Sequence, residues 1–193
     1  MIQFHANAKE PYCKFSNFMH VNEGIRFNGV IYPSTEHAYQ AQKYKVQDRF
    51  RFSIDGDLGV WNGFALISSK SPVRWKRKNM IGIIAKMATN KKRENQLKLT
   101  RIDFQTSPIL WTKILSQKFQ ISTYKQLLLQ TKSSYLLEFD RFAAKHGSFW
   151  GGLLKNDTIY GQNNMGKLLM YIRDEVFCYV EKPRKDGKIW EEF

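Results

Sequence analysis

The sequence predicts a single helix-rich α+β domain with a small β-sheet. Three observations carry that expectation: one proline-serine and two serine-proline breaks that each lead into a run suited to a helix, an Asn-Gly turn between two short alternating segments, and no strict strand-helix-strand repeat. At 193 residues and 42% hydrophobic content the chain has the length of one domain and enough material for a packed core, which excludes a disordered basic chain. The domain is expected over residues 1–180, with a loosely held polar tail over 181–193.

Residues 24–34 alternate apolar side chains on both sides of Asn28 and Gly29, which accept positive φ, so this segment is a hairpin. Pro33 ends its second strand and Ser34 offers an N-cap, and from residue 35 to about 46 nothing interrupts a helix. Ser71 and Pro72 open a second helix, in which Val73, Met80, Ile83, Ile84 and Met87 keep helical spacing to about residue 89. Ser107 and Pro108 repeat the signature ahead of the stripe Leu110, Trp111, Ile114, Leu115 and Phe119. A Leu-rich helix over 123–131 and a buried apolar strand over 135–139 follow. The last helix runs from 164 to about 179, with Met165, Leu168, Leu169, Ile172 and Val176 on one stripe.

Lysine and arginine number 31 against 17 acidic residues, a formal charge of +14. Such an excess favours an anionic partner, and nucleic acid, nucleotide or an acidic membrane surface all satisfy it. Arg74, Lys76, Arg77 and Lys78 crowd together and suit DNA phosphates; solvated helix faces are the plainer alternative. Cys13 and Cys178 have neither metal spacing nor the numbers for a disulfide framework, so a reducing, intracellular, cytoplasmic setting is expected. The first seven residues lack the features of a secretory signal, and the longest apolar run, 80–85, is too short to cross a membrane. Four histidines, His5, His20, His37 and His146, are scattered without HxxxH spacing, so no metal and no other cofactor is expected.

Three segments carry chemistry. In the helix from residue 35, Glu36, Gln40 and Lys43 fall within an arc of about 60°, with His37 and Tyr44 on the adjacent arc. A surface helix with a polar row would share the pattern. Between 149 and 166, Trp150 and Gly151 precede Gly161, Asn163 and Gly166 at a helix start, a candidate phosphate cradle made of backbone N–H groups. Phe15, Ser16, Asn17 and Phe18 set two small polar residues between two aromatics, which suits either a packed turn or a stacking platform for a flat ring.

Together these segments resemble the YbiA-like family, also called NADAR after its proposed link to NAD and ADP-ribose. The resemblance rests on residues 15–18, on Gly29 and Tyr32 leading into 34–43, on Lys118 and Phe119, on 127–131, and on Trp150 and Gly151 followed by Gly161, Asn163, Met165, Gly166 and 167–173. Two departures stand out. The acidic residue expected about three positions before the Trp-Gly pair is Gly147 here, leaving Asp140 to reach the site only if its loop folds back, and residues 70–106 form a longer, more basic middle segment.

The resemblance implies a YbiA-like fold and an N-glycosidase. Its substrates would be phosphorylated ribosylamine intermediates of riboflavin synthesis or ADP-ribose attached to guanine in DNA. Glu36 would then stabilise positive charge on the sugar or activate water, and Lys43 would either anchor a phosphate or attack a ring-opened sugar as a neutral amine. The second role for Lys43 is favoured if the helix start near Asn164 already holds the phosphate. Phe15, Ser16, Asn17, Phe18, His37, Gln40, Tyr44, Trp150, Gly151, Gly161, Asn163 and Gly166 would form the binding surface. Two other classes remain open: a module that binds NAD or ADP-ribose without cleaving it, and a nonspecific nucleic-acid-binding protein.

Overall fold

The expected hairpin forms. In the computed structural model, which describes residues 1–177, β1 (Ile2–Phe4) is followed by β2 (Ile25–Phe27) and β3 (Val30–Tyr32), an antiparallel pair joined through Asn28 and Gly29 at φ 49° and 77°. Ser34 caps α1 (Thr35–Ala41), its hydroxyl accepting from the His37 N–H at 3.2 Å. This helix ends five residues before the predicted stop. The N–H groups of Gln42, Lys43 and Tyr44 each bond the carbonyl three residues back, and Tyr44 then leaves to bridge Arg101. The short helices α2 (Val46–Arg49) and α3 (Phe64–Ile67) come next.

The second predicted helix is broken in two, α4 (Val73–Lys76) and α5 (Gly82–Ala88). Asn79 takes a left-handed φ of 54°, and the Gly82 N–H bonds the Phe18 carbonyl at 2.9 Å instead of continuing the α4 ladder. An added Cβ at Gly82 would lie 2.6 Å from the Phe18 Cα, so the break lets α5 press its start against the 15–18 loop. A further helix, α6 (Lys91–Leu97), leads to α7 (Pro108–Gln120), capped by Ser107 as expected, and α8 (Ser122–Gln130).

The predicted strand appears as β4 (Leu136–Glu138), paired in parallel with β1 so that Phe4 lies opposite Glu138. After α9 (Ala143–His146), β5 (Leu153–Lys155) and β6 (Thr158–Tyr160) form a second hairpin, and α10 (Asn164–Tyr171) passes into a π-helical turn over Ile172–Phe177. The described strands thus make three two-stranded sheets where one small sheet was expected. The end of the last predicted helix and the 181–193 tail lie outside the described residues.

The core gathers around α1, α5 and α7, with Tyr32, Phe52, Phe64, Ile84, Ile114 and Phe119 fully buried. The basic middle segment is therefore no peripheral addition, since Ile81, Ile84, Ala85 and Ala88 belong to that core. Among the described residues no helix is long and apolar enough to cross a membrane.

Candidate active site

The 15–18 loop is pinned at three successive carbonyls. Ser16 accepts from the Lys118 ammonium at 3.0 Å, Asn17 from the Glu36 N–H at 3.0 Å, and Phe18 from the Gly82 N–H at 2.9 Å. Ser16 and Asn17 are buried, and Phe18 faces a cleft of about 810 Å³. Lys118 has no exposed surface, and desolvation pulls its pKa down to about 7. The loop is a packed turn whose edge forms one wall of the cleft.

Adjoining that wall, α1 presents Glu36, Tyr39 and Gln40, with Lys43 just past its end. Glu36 is 5% exposed. Its carboxylate accepts from the Gln40 amide at 2.6 Å and meets the Lys86 ammonium of α5 at 3.9 Å. Burial pushes its pKa up, while Lys86, the Gln40 amide and Lys43 favour the charged form. The Lys43 ammonium sits over the rings of Tyr39 and Phe104, 5.4 and 5.8 Å from their centroids. Its pKa is lowered by burial first, then by Lys86 and Arg101.

The third wall contains an acid that no motif in the sequence marks, Glu138. Parallel pairing with β1 brings Glu138 to the cleft, where desolvation, then Glu36 and then Asp140 push its pKa up to about 7. Its signal in the sequence was weak, one acid at the end of a buried strand. Asp140 also lines the cleft, because its N–H bonds the Gly152 carbonyl at 2.9 Å and folds the loop back. Trp150 and Gly151 complete this side, and Trp111 links the walls by stacking on Tyr39 at 4.1 Å and meeting Trp150 edge-on at 5.8 Å.

Six residues expected on the binding surface stand behind it. Phe15 is fully buried against Phe4 and Phe119. His37 spans the Ser34 hydroxyl at 2.8 Å and the Leu58 carbonyl at 3.0 Å, and burial holds its pKa down at about 3, so it stays neutral and structural. Tyr44 stacks on Phe52 and donates to Glu94, away from the cleft, because α1 ends before reaching it. Asn163 accepts from the Glu138 N–H at 3.0 Å and donates to the Leu136 carbonyl at 2.8 Å, which fixes β4. Gly161 packs on the backbone of Gly151 and Gly152, and Gly166 on that of Leu136.

The candidate phosphate cradle is largely occupied by the chain's own carbonyls. The N–H groups of Asn163, Asn164 and Met165 donate to the carbonyls of Gly151, Phe149 and Trp150, leaving none of the three for an anion. Side-chain cations border the cleft instead: Lys43, Arg74, Lys86 and Arg141. Among the described residues no three His, Cys, Asp or Glu side chains gather as a group for a metal ion. A second groove, of about 880 Å³, lies across Ala6 and Asn7 and is lined by Glu10, Lys14, Arg77 and Tyr124, without a buried carboxylate pair.

The tight fit at Gly166 has a measurable consequence. A Cβ there would lie 2.1 Å from the Leu136 carbonyl oxygen, so Gly166→Ala must separate α10 from β4. A loss of about 1–3 kcal/mol is expected, the scale for overpacking a core. Urea denaturation checks it, and unchanged stability would mean that the contact relaxes freely.

The model of the NADAR domain family matches residues 3–177. The NMR structure of the E. coli protein YbiA shares the fold, with a TM-score of 0.58 and 23% identity over 96% of this chain and 90% of that one. No curated protein sequence matches.

Proposed function

The chain belongs to the NADAR domain family, and from that premise we propose that it is an N-glycosidase, hydrolysing the bond between C1 of a phosphorylated ribosyl or ADP-ribosyl group and a nitrogen. The observation that carries this reading is the pair Glu36 and Glu138 in one aromatic-walled cleft, two carboxyls whose surroundings divide their roles. Burial raises both pKa values; at Glu36 the Lys86 ammonium, the Gln40 amide and Lys43 oppose that rise, whereas at Glu138 the acidic neighbours Glu36 and Asp140 add to it with Lys86 alone opposing, so that Glu138 carries its proton up to about pH 7.

Glu138 donates its proton to the departing nitrogen as the C1–N electron pair leaves with it. The Glu36 carboxylate faces the positive charge growing on C1 and the ring oxygen, and takes a proton from the water that adds to C1. One proton is given and one received, which leaves Glu36 protonated and Glu138 ionised, and proton exchange with water returns the pair to its starting state. Gln40 Oε1, buried without a partner among the described residues, is an acceptor left for a ribose hydroxyl. Arg74, Lys86 and Arg141 would take the phosphates, and Arg74 with Lys76, Arg77 and Lys78 would extend along DNA if the ribosyl group is attached to it.

A second route uses Lys43. Its lowered pKa favours the neutral amine, which would add to C1 of the ring-opened sugar, expel the base nitrogen and leave a Schiff base for water to hydrolyse.

The test is product release. The protein should free the base from a ribosylaminopyrimidine phosphate or from a guanine-ADP-ribosylated oligonucleotide, read by mass spectrometry, with salt weakening only the oligonucleotide reaction. Binding of both compounds without release would favour a non-catalytic module. Once a substrate is found, kcat/KM should fall about tenfold per pH unit above roughly 7, because the acid Glu138 loses its proton there, and this limb should vanish in Glu138→Gln. A profile flat to pH 9 would remove Glu138 as the acid.

A further inference from the structure

The basic middle segment does more than supply positive charge. Where α1 ends, residues 43–45 are gripped by the strand-like stretch after α6: the Ile102 N–H bonds the Lys43 carbonyl at 2.9 Å, the Lys45 N–H bonds the Thr100 carbonyl at 3.0 Å, and Tyr44 pairs with Arg101 as an isolated bridge. Side chains lock the same junction. Glu94, 8% exposed on α6, accepts both from the Tyr44 hydroxyl and from the Arg101 guanidinium, which lies 5.6 Å from the Tyr44 ring centroid. Phe104, a few residues further along this stretch, provides a ring beneath the Lys43 ammonium.

We propose that Glu94 and Arg101 are positioning residues for Lys43, clamping the chain behind it so that its amine is held at the cleft edge over Tyr39 and Phe104 and feels a fixed balance of charge. The proposal deepens the reading of Lys43 as a working group of the cleft. The groups facing that amine are Glu36 and Tyr39 from α1, Lys86 from α5, and Glu94 and Arg101 from the clamp. Removing a positive neighbour makes protonation of the amine easier; removing a negative one makes it harder. The two halves of the clamp therefore act on Lys43 with opposite sign, whereas loosening of the fold would move both variants the same way.

The experiment needs no turnover, so it stands apart from the test of the glycosidase reading. Folded protein is labelled with an acylating reagent over pH 6–10, and the rate at Lys43 is read by peptide mass spectrometry. Arg101→Gln should raise the pH midpoint of Lys43 labelling and slow the reaction at pH 7 by about threefold. Glu94→Gln should lower the midpoint, and Arg101→Lys should hold it near the wild-type value. Midpoints that stay put in all three variants, or that move in the same direction in Arg101→Gln and Glu94→Gln, would overturn the proposal.

Discussion

Glu36→Gln is expected to lower kcat by at least about 100-fold, the contribution of a positioned acid or base, while the protein stays folded and still binds its substrate. Glutamine keeps the shape of glutamate, and its oxygen can still accept the Gln40 amide that now bonds the carboxylate at 2.6 Å. The ion pair it gives up is a long one, 3.9 Å to an exposed lysine, and such pairs contribute little to stability. What glutamine cannot supply is a negative charge beside C1 or a base for water. Steady-state kinetics with a thermal melt as control checks this, and near-normal turnover would remove Glu36 from the chemical step.

Lys43→Arg is expected to abolish turnover if the amine attacks the sugar, because guanidinium stays protonated and cannot add to C1. Borohydride added during turnover by the wild-type protein should then trap the sugar on Lys43, located by peptide mass spectrometry. Three N–H groups of the helix start that was expected to hold the phosphate, those of Asn163, Asn164 and Met165, bond 149–151 carbonyls, while the side chains of Arg74, Lys86 and Arg141 stand at the cleft alongside Lys43. Desolvation and two cationic neighbours then lower the pKa of the amine, which suits a nucleophile better than an anchor. An active Lys43→Arg variant with no trapped adduct would return Lys43 to phosphate binding.

The hairpin at Asn28-Gly29 and the caps at Ser34 and Ser107 were legible in the sequence because their signals are local: a turn dipeptide and hydroxyls ahead of helical runs. Breaks imposed from a distance were not. The end of α1 follows from the pairing of Tyr44 with Arg101, and the division between α4 and α5 follows from the approach of Gly82 to Phe18, both long-range contacts that leave no periodicity behind. The site divides in the same way. Glu36 and Gln40 share a helical face, which spacing reveals, and both reach the cleft. Glu138 depends on parallel pairing with β1 from the far end of the chain, and Lys86 on the packing of α5 against α1. His37, Asn163 and Gly166 carry the family resemblance yet stand behind the walls. In each the recognisable feature is a buried hydrogen bond or a close backbone contact, and a motif does not distinguish such a residue from one that touches a ligand.

A crystal structure of the protein with ribose 5-phosphate bound would show whether Glu36 and Glu138 flank the reacting carbon. The sugar should lie in the cleft of Glu36 and Glu138, with C1 facing both carboxyls and the phosphate on Arg74, Lys86 and Arg141. A sugar lying instead in the groove of Glu10, Lys14 and Tyr124, or one whose C1 points away from both Glu36 and Glu138, would contradict that placement.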